Sequence, residues 1–219
     1  MAEQDWSPTF THNDFRQEAA ETLYQGFFRM LRLKLRHKTF AGGEIQIQRE
    51  LFFRDDAVCV LLYDPVLDRV VLIEQFRVGA LEHPDGPWML ELVAGIVETG
   101  ETPAQVARRE AVEEAGAALG SLEHIIRYVP SSGATREYID LFCAMVDSRP
   151  LGGDFGLPHE GEDIRVHLLD AADAFALVSN GKIFNSPAII ALQWLQLNQT
   201  RLRQQWSEVN PDAGENNET

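Results

Sequence analysis

Residues 95–117 read Gly-Ile-Val-Glu-Thr-Gly-Glu-Thr-Pro-Ala-Gln-Val-Ala-Arg-Arg-Glu-Ala-Val-Glu-Glu-Ala-Gly-Ala, and the helix they encode decides the fold. Thr102 is a good N-cap, with Gln105 three residues on as its capping-box partner. Pro103 falls at the first helical position, where its missing N–H costs nothing. Gly116 falls where a left-handed C-terminal cap belongs. The spacing therefore predicts a helix over residues 103–115. At 100° per residue, Glu110 and Glu114 lie side by side, with Arg109 and Glu113 on one flank. Ala104, Ala107, Ala111 and Ala115 form the other flank, a stripe that lets the backbone lie close against a sheet. Like charges three and four apart destabilise a helix by a few tenths of a kcal/mol per pair. A divalent cation would offset that cost, and Arg109 can brace Glu113 across one turn.

A glutamate-rich helix is more often a plain solvated face. Two features argue otherwise here: the acids adjoin the packing stripe rather than oppose it, and the glycines and Arg109 fit a fixed pattern. Seven fixed positions give a chance match on the order of 1 in 10⁸ per start position. The pattern Gly-x5-Glu-x7-Arg-Glu-U-x-Glu-Glu-x-Gly-U, with U a bulky aliphatic, resembles the Nudix box. Every fixed residue is present, and the two U positions are the smaller Ala111 and Ala117. That departure touches packing rather than metal chemistry.

The chain of 219 residues fits one large domain, or one domain with an extension, and its hydrophobic content of 45% is ample for a core. It has no run of 18 apolar residues to cross a bilayer. Its start, Met-Ala-Glu-Gln-Asp-Trp-Ser-Pro, lacks the pattern of a secretory signal, so a cytoplasmic protein is expected. Cys59 and Cys143 both lie in apolar runs and read as buried thiols. A net charge of −15 argues against nucleic acid or an anionic membrane as partner. With a phosphate-ester substrate, metal ions at the acidic helix would resolve the charge conflict.

Strand-like content at 22–36 and 44–53 flanks a turn at Ala41-Gly42-Gly43. The runs 57–63 and 70–74 around Asp64-Pro65 read as a hairpin. Residues 88–93 form a strand leading into Gly95, and further strands are predicted at 125–129, 138–146 and 164–169. Asp170 can cap a helix through Val178, and Ser186-Pro187 opens a last helix. The expected organisation is a β-rich segment over 1–55, a mixed α/β domain over 56–206 and a polar, acidic, disordered tail over 207–219.

The Nudix resemblance implies an α-β-α sandwich around a mixed sheet, preceded here by a small antiparallel β segment. The stretches Glu21-Thr-Leu-Tyr-Gln-Gly-Phe-Phe28 and Val71-Leu-Ile-Glu-Gln-Phe-Arg77, with the box, look like bacterial ADP-ribose pyrophosphatases over residues 20–206. That likeness implies Mg²⁺, or Mn²⁺ in its place, held by Glu110, Glu114, Glu162 and the backbone carbonyl of Ala94. Glu113 is a supporting or additional ligand, and Glu101 binds through water or orients Arg109. The loop Glu160-Gly161-Glu162-Asp163 is, taken alone, an ordinary solvated acidic loop. Matched to the subfamily's Glu-x-Glu-Asp-Ile-Arg-Val-His, it makes Glu160 the base and Glu162 a ligand. Gly152, Gly153 and Gly156 would let that loop close.

The same match implies phosphate contacts from Arg77 and Arg49, stacking of Phe27 on adenine, and a homodimer whose N-terminal strands exchange between subunits. In this match Phe27 and Arg49 serve the neighbouring subunit's site. Where relatives show Ser-Pro-Gly-Gly, this chain reads Ser131-Ser132-Gly133-Ala134, in a loop that helps define preference for ADP-ribose. The implied reaction is hydrolysis of ADP-ribose to AMP and ribose 5-phosphate. Another nucleoside diphosphate sugar such as GDP-mannose is the second reading. A non-catalytic nucleotide sensor is a remote third, since such proteins usually lose box acids.

Overall fold

A computed structural model describes residues 6–157 and 161–209 of the chain. The backbone divides into two compact units, Met1–Asp55 with Val129–Glu137, and Asp56–Tyr128 with Tyr138–Thr219. The N-terminal unit thus recruits a loop from the middle of the sequence, which local patterning does not reveal.

The N-terminal unit is a sheet of β1 (Phe15–Gln25), β2 (Arg29–Lys38), β3 (Glu44–Phe53) and the short β9 (Thr135–Arg136), in that order. The first three strands are antiparallel and β9 joins β3 in parallel. The single strand expected at 22–36 is two strands. Gly26-Phe27-Phe28 breaks it, and a Cβ on Gly26 would collide with the Tyr24 ring. Every residue of β1 is exposed. Cross-strand ion pairs such as Arg16–Glu44 and Arg36–Glu18 run over this sheet. Exposed pairs of this kind contribute little each.

The second unit is built on a mixed sheet ordered β11 (Gly153–Phe155), β12 (Ile164–Asp170), β5 (Arg69–Phe76), β4 (Ala57–Asp64), β10 (Ile139–Met145) and β8 (Leu122–Tyr128). Only β10 and β4 run parallel in it. The β4–β5 hairpin pairs only at its closed end, Leu62–Asp64 with Arg69–Val71. Beyond that the strands part. The segment expected as one strand at 88–93 fills the gap as two, β6 (Trp88–Glu91) on β5 and β7 (Val93–Ile96) on β4.

Alternation assigns the two faces of this sheet. Cys59, Leu61, Tyr63, Val70, Leu72, Leu141 and Cys143 join a core with α2 (Ala171–Ser179) and α3 (Ser186–Val209). Val58, Val60, Leu62, Val71, Ile73 and Ala144 join a second core with α1 (Pro103–Ala115). Strands buried on both faces read as continuous apolar runs, which is why the hairpin was visible in the sequence. The result is a helix–sheet–helix sandwich. Both cysteines are buried, as expected. Among the described residues no helix is long and apolar enough to cross a membrane.

Two helix ends were read differently. Asp170 stands at the N-cap of α2 but makes no side-chain cap bond; its carboxylate takes Arg69 Nε at 3.1 Å instead. The last helix runs on to Val209, beyond the expected limit at 206.

Candidate active site

The start and stop of α1 follow the local rules. Thr102 and Gln105 form a reciprocal capping box, Pro103 opens the helix and Gly116 closes it at φ 61°. A cap of this kind contributes about 1 kcal/mol. Ala107, Ala111 and Ala115 are fully buried against the sheet, as is Ala117. The small residues at both U positions pack in a core with β-branched and aliphatic side chains of the sheet.

This close seating puts the acidic edge on the backbone of β7. The amide N–H of Ala94 donates to Glu114 Oε2 at 2.9 Å. A Cβ at Gly95 would overlap the Glu110 carboxyl group as it stands, so Glu110 lies against this strand where residue 95 has no side chain and would have to turn away from a larger one. Glu114 is 3% exposed.

Arg109 is the shared counter-charge. Its Nε and Nη2 lie 3.0 Å from the two oxygens of Glu101. Its Nη1 reaches Glu110 at 2.7 Å and Glu113 at 3.2 Å. The bracing of Glu113 expected from the sequence is present, and Glu101 takes Arg109 in a bidentate grip, one of the two roles the sequence leaves open to it. One guanidinium divided among three carboxylates neutralises none of them fully. Burial therefore prevails at Glu110, whose pKa is pushed up to about 7 against the pull of Arg109, with Glu113 and Glu162 adding repulsion. At Glu114 burial again leads, taking the pKa to about 8 despite the Ala94 amide; the charges of Glu110 and Glu162 raise it further and Arg77 opposes them. Glu101, by contrast, is held below the usual range by Arg109.

The remaining sequence candidates are distributed as follows. Glu162 directs Oε2 toward the Leu157 amide at 3.4 Å, and its charge is felt at both Glu110 and Glu114. Arg77 pairs through Nε with Glu91 at 2.7 Å, a partner that depends on β6 lying beside β5 and has no local signal. Glu160 lies outside the described residues. Phe27, Arg49 and Gly133 belong to the N-terminal unit. Phe27 is 84% exposed, edge-on to Phe28, rather than in a strand core. Arg49 lies on β3, where Nη1 donates to the Gln48 carbonyl at 2.8 Å.

Gly153 begins β11, and a Cβ on Gly156 would fall 2.8 Å from the Glu162 carbonyl oxygen. Both have positive φ, so conformation and close approach account for them.

Among the described residues, no three acidic, His or Cys side chains converge closely enough to hold a metal ion as they stand. The reason is visible in the contacts: Glu110 is turned to Arg109, Glu114 to the Ala94 amide and Glu162 to the Leu157 amide. The donor set nonetheless fits a hard divalent cation. It is all oxygen, and two of its carboxylates, the half-buried Glu110 and the buried Glu114, have too little positive charge beside them to hold their pKa in the ordinary range.

The family model for the NUDIX domain matches residues 53–211, and this chain belongs to the Nudix family. It is 45% identical over 201 residues to the ADP-ribose pyrophosphatase of Haemophilus influenzae, spanning 90% of this chain and 93% of that one. The ADP-ribose pyrophosphatase of Escherichia coli is 43% identical over 200 residues, 91% and 96% of the two chains. The GDP-mannose pyrophosphatase of an Enterobacter species is more distant, 33% identical over 159 residues, 71% and 81% of the two chains. A solved structure described as an ADP compounds hydrolase superposes with a TM-score of 0.63 at 18% identity, covering 87% of this chain and 98% of that one, and shares the fold.

The raised carboxyl pKa values set a pH dependence. An ordinary glutamate ionises near 4.5, so between that value and about 8 the folded, metal-free chain holds more protons than the unfolded one. The stability is present below the unfolded pKa and is lost as pH rises through the folded values. Glu114→Gln, neutral at every pH and still able to accept from Ala94, escapes this loss. Its melting temperature without metal is expected to match the parent near pH ~4.5 and to exceed it progressively toward pH ~8.5. Differential scanning calorimetry in chelator measures the gap, and a gap independent of pH would contradict the assignment.

Proposed function

We propose that this chain hydrolyses the diphosphate of ADP-ribose to AMP and ribose 5-phosphate, with Mg²⁺ as cofactor and Mn²⁺ able to replace it. The observation that carries the reading is the pair Glu110 and Glu114, side by side on α1, the first half-buried and the second buried, with Arg109 shared between Glu110 and its neighbours. A divalent cation relieves that arrangement and suits a substrate whose own charge is negative. The relatives' names, at 43–45% identity over nine-tenths of the chain, support ADP-ribose as the substrate.

Glu110, Glu114 and Glu162 would hold the ion, joined by the Ala94 carbonyl, with Glu113 supporting. Bound there, it would neutralise phosphoryl charge, acidify water and orient the diphosphate. Arg109 keeps Glu101, Glu110 and Glu113 grouped on one edge. Glu160 takes the proton of the attacking water, an assignment supported by the Glu-x-Glu-Asp-Ile-Arg-Val-His pattern alone. Arg77 contacts phosphate. Phe27 stacks on adenine, for which its exposure suits it, while Arg49 contacts phosphate and the Gly133 loop bounds the ribose end. A homodimer is supported by β1, a strand exposed along its whole length, with apolar Phe15, Leu23 and Tyr24 uncovered. No nucleic-acid or membrane partner is proposed, given the charge of −15, and the cytoplasm is the compartment proposed.

Hydrolysis of another nucleoside diphosphate sugar is the second reading, favoured by the relatives named GDP-mannose pyrophosphatase. Turnover of a nucleotide-sugar panel at fixed Mg²⁺ separates the two: ADP-ribose is expected to give the highest kcat/KM, and a clear preference for GDP-mannose would replace the first reading. A non-catalytic sensor is disfavoured because no box acid is missing; absence of hydrolysis with either metal would restore it. Glu160→Gln is expected to lower kcat by about 10²–10⁴-fold, the usual contribution of a general base. Near-parental turnover would pass the role to Glu162 or a box acid. Sedimentation velocity is expected to show a dimer, and an active, stable monomer would refute it.

A further inference from the structure

Gln75 is the one residue on the α1 side of β5 whose polarity the fold does not explain. Strand alternation sends Val71 and Ile73 into the core beneath Ala107, Ala111 and Ala115. Gln75 is the next position on that face, in register with Ile164 of β12 and Met89 of β6. A third apolar side chain would complete the layer. Instead there is a primary amide, 6% exposed, whose Nε2 is buried and has no hydrogen-bond partner among the described residues. Buried donors are nearly always satisfied, and an exception calls for a cause.

Its neighbours indicate the cause. Two residues along the chain stands Arg77, whose charge reaches Glu114. Two residues before its cross-strand partner Ile164 stands Glu162, whose charge reaches both Glu110 and Glu114. Gln75 therefore sits where β5 and β12 deliver their charged ends to the acidic edge of α1. The carboxylates there already have their donors: Glu114 has the Ala94 amide, Glu110 has Arg109 and Glu162 has the Leu157 amide. An uncharged donor beside a wall of acids can donate to a phosphoryl oxygen without adding to the wall's repulsion. It also adds no positive charge that would compete with a cation for the same carboxylates.

We propose that Gln75 is a substrate-contacting residue, its Nε2 donating to a non-bridging oxygen of the bound diphosphate. The proposal rests on the diphosphate chemistry put forward above, and on neither the adenine nor the ribose. Among the described residues the donor has no partner, and a bound diphosphate would supply one.

The test compares the parent with Gln75→Leu, Gln75→Met and Gln75→Glu in the full-length protein. Two non-hydrolysable probes are used with Mg²⁺, the methylene-bridged analogue of ADP-ribose and methylenediphosphonate alone. Calorimetric Kd and melting temperature without ligand are both recorded. Leu and Met remove the polar group at nearly constant volume, so both are expected to melt at or above the parental temperature. Both are expected to bind each probe about tenfold more weakly, the order of one lost hydrogen bond to a charged group. Glu keeps two acceptors and loses the donors, so its binding should be weaker still. If Leu fails to fold, Met supplies the same reading. Parental affinity in the Leu or Met variants would overturn the proposal. So would parental affinity in Gln75→Glu, which would make the group an acceptor, and so would a parent that binds neither probe. A parent that prefers GDP-mannose over ADP-ribose would overturn the proposed substrate alone, because the diphosphate contact is common to both.

Discussion

The seating of α1 against β7 is the constraint on which the rest of the second unit depends. Alanines on a helix's inner stripe let it lie close to a strand's backbone, and a glycine opposite leaves room for the acid beside that stripe. The chain supplies Ala107, Ala111 and Ala115 on one side and Gly95 on the other. The consequence is electrostatic. Glu110 and Glu114 sit beside the same stripe, so tight packing drags them out of water and against the Ala94–Gly95 backbone. Packing therefore creates the site: the contact that stabilises the layer also raises the energy of the two ionised carboxylates.

Arg109 limits that cost without removing it. Had each carboxylate its own cation, the edge would be neutral and of little use to a metal. With one guanidinium spread over Glu101, Glu110 and Glu113, the cluster holds together yet remains short of positive charge. Glu114, one turn from Glu110, has only a backbone amide. The divergence of β4 and β5 makes the geometry possible. Where those strands part, β7 slips in beside β4, and its backbone becomes the floor of the acidic edge.

How much of this could be read from the sequence follows the range of the forces involved. The ends of α1 were legible to the residue, because capping boxes, an N1 proline and a left-handed glycine act within one turn. The hairpin and the last helix were legible because their apolar patterns are long and uninterrupted. The division of 22–36 into two strands at Gly26, and of 88–93 into β6 and β7, was missed. In both cases the strand content is continuous, and only the pairing partners reveal the break. Joining residues 129–137 to the N-terminal unit likewise depends on β9 meeting β3, some 80 positions away in the chain.

The sequence by itself determined the family, the capped helix, the grouping of Glu110, Glu113 and Glu114 on one edge and the brace from Arg109, since all of these are helical-spacing or short-range facts. Tertiary structure alone decided which of those acids lose their water, because burial depends on what lies opposite. It also set the pairing of Arg77 with Glu91 and, among the described residues, left Gln75 Nε2 without a partner on an apolar face, since each depends on the register of β5 against β6 and β12. Register is a sum of many weak contacts across the sheet, and no single stretch of the chain contains it.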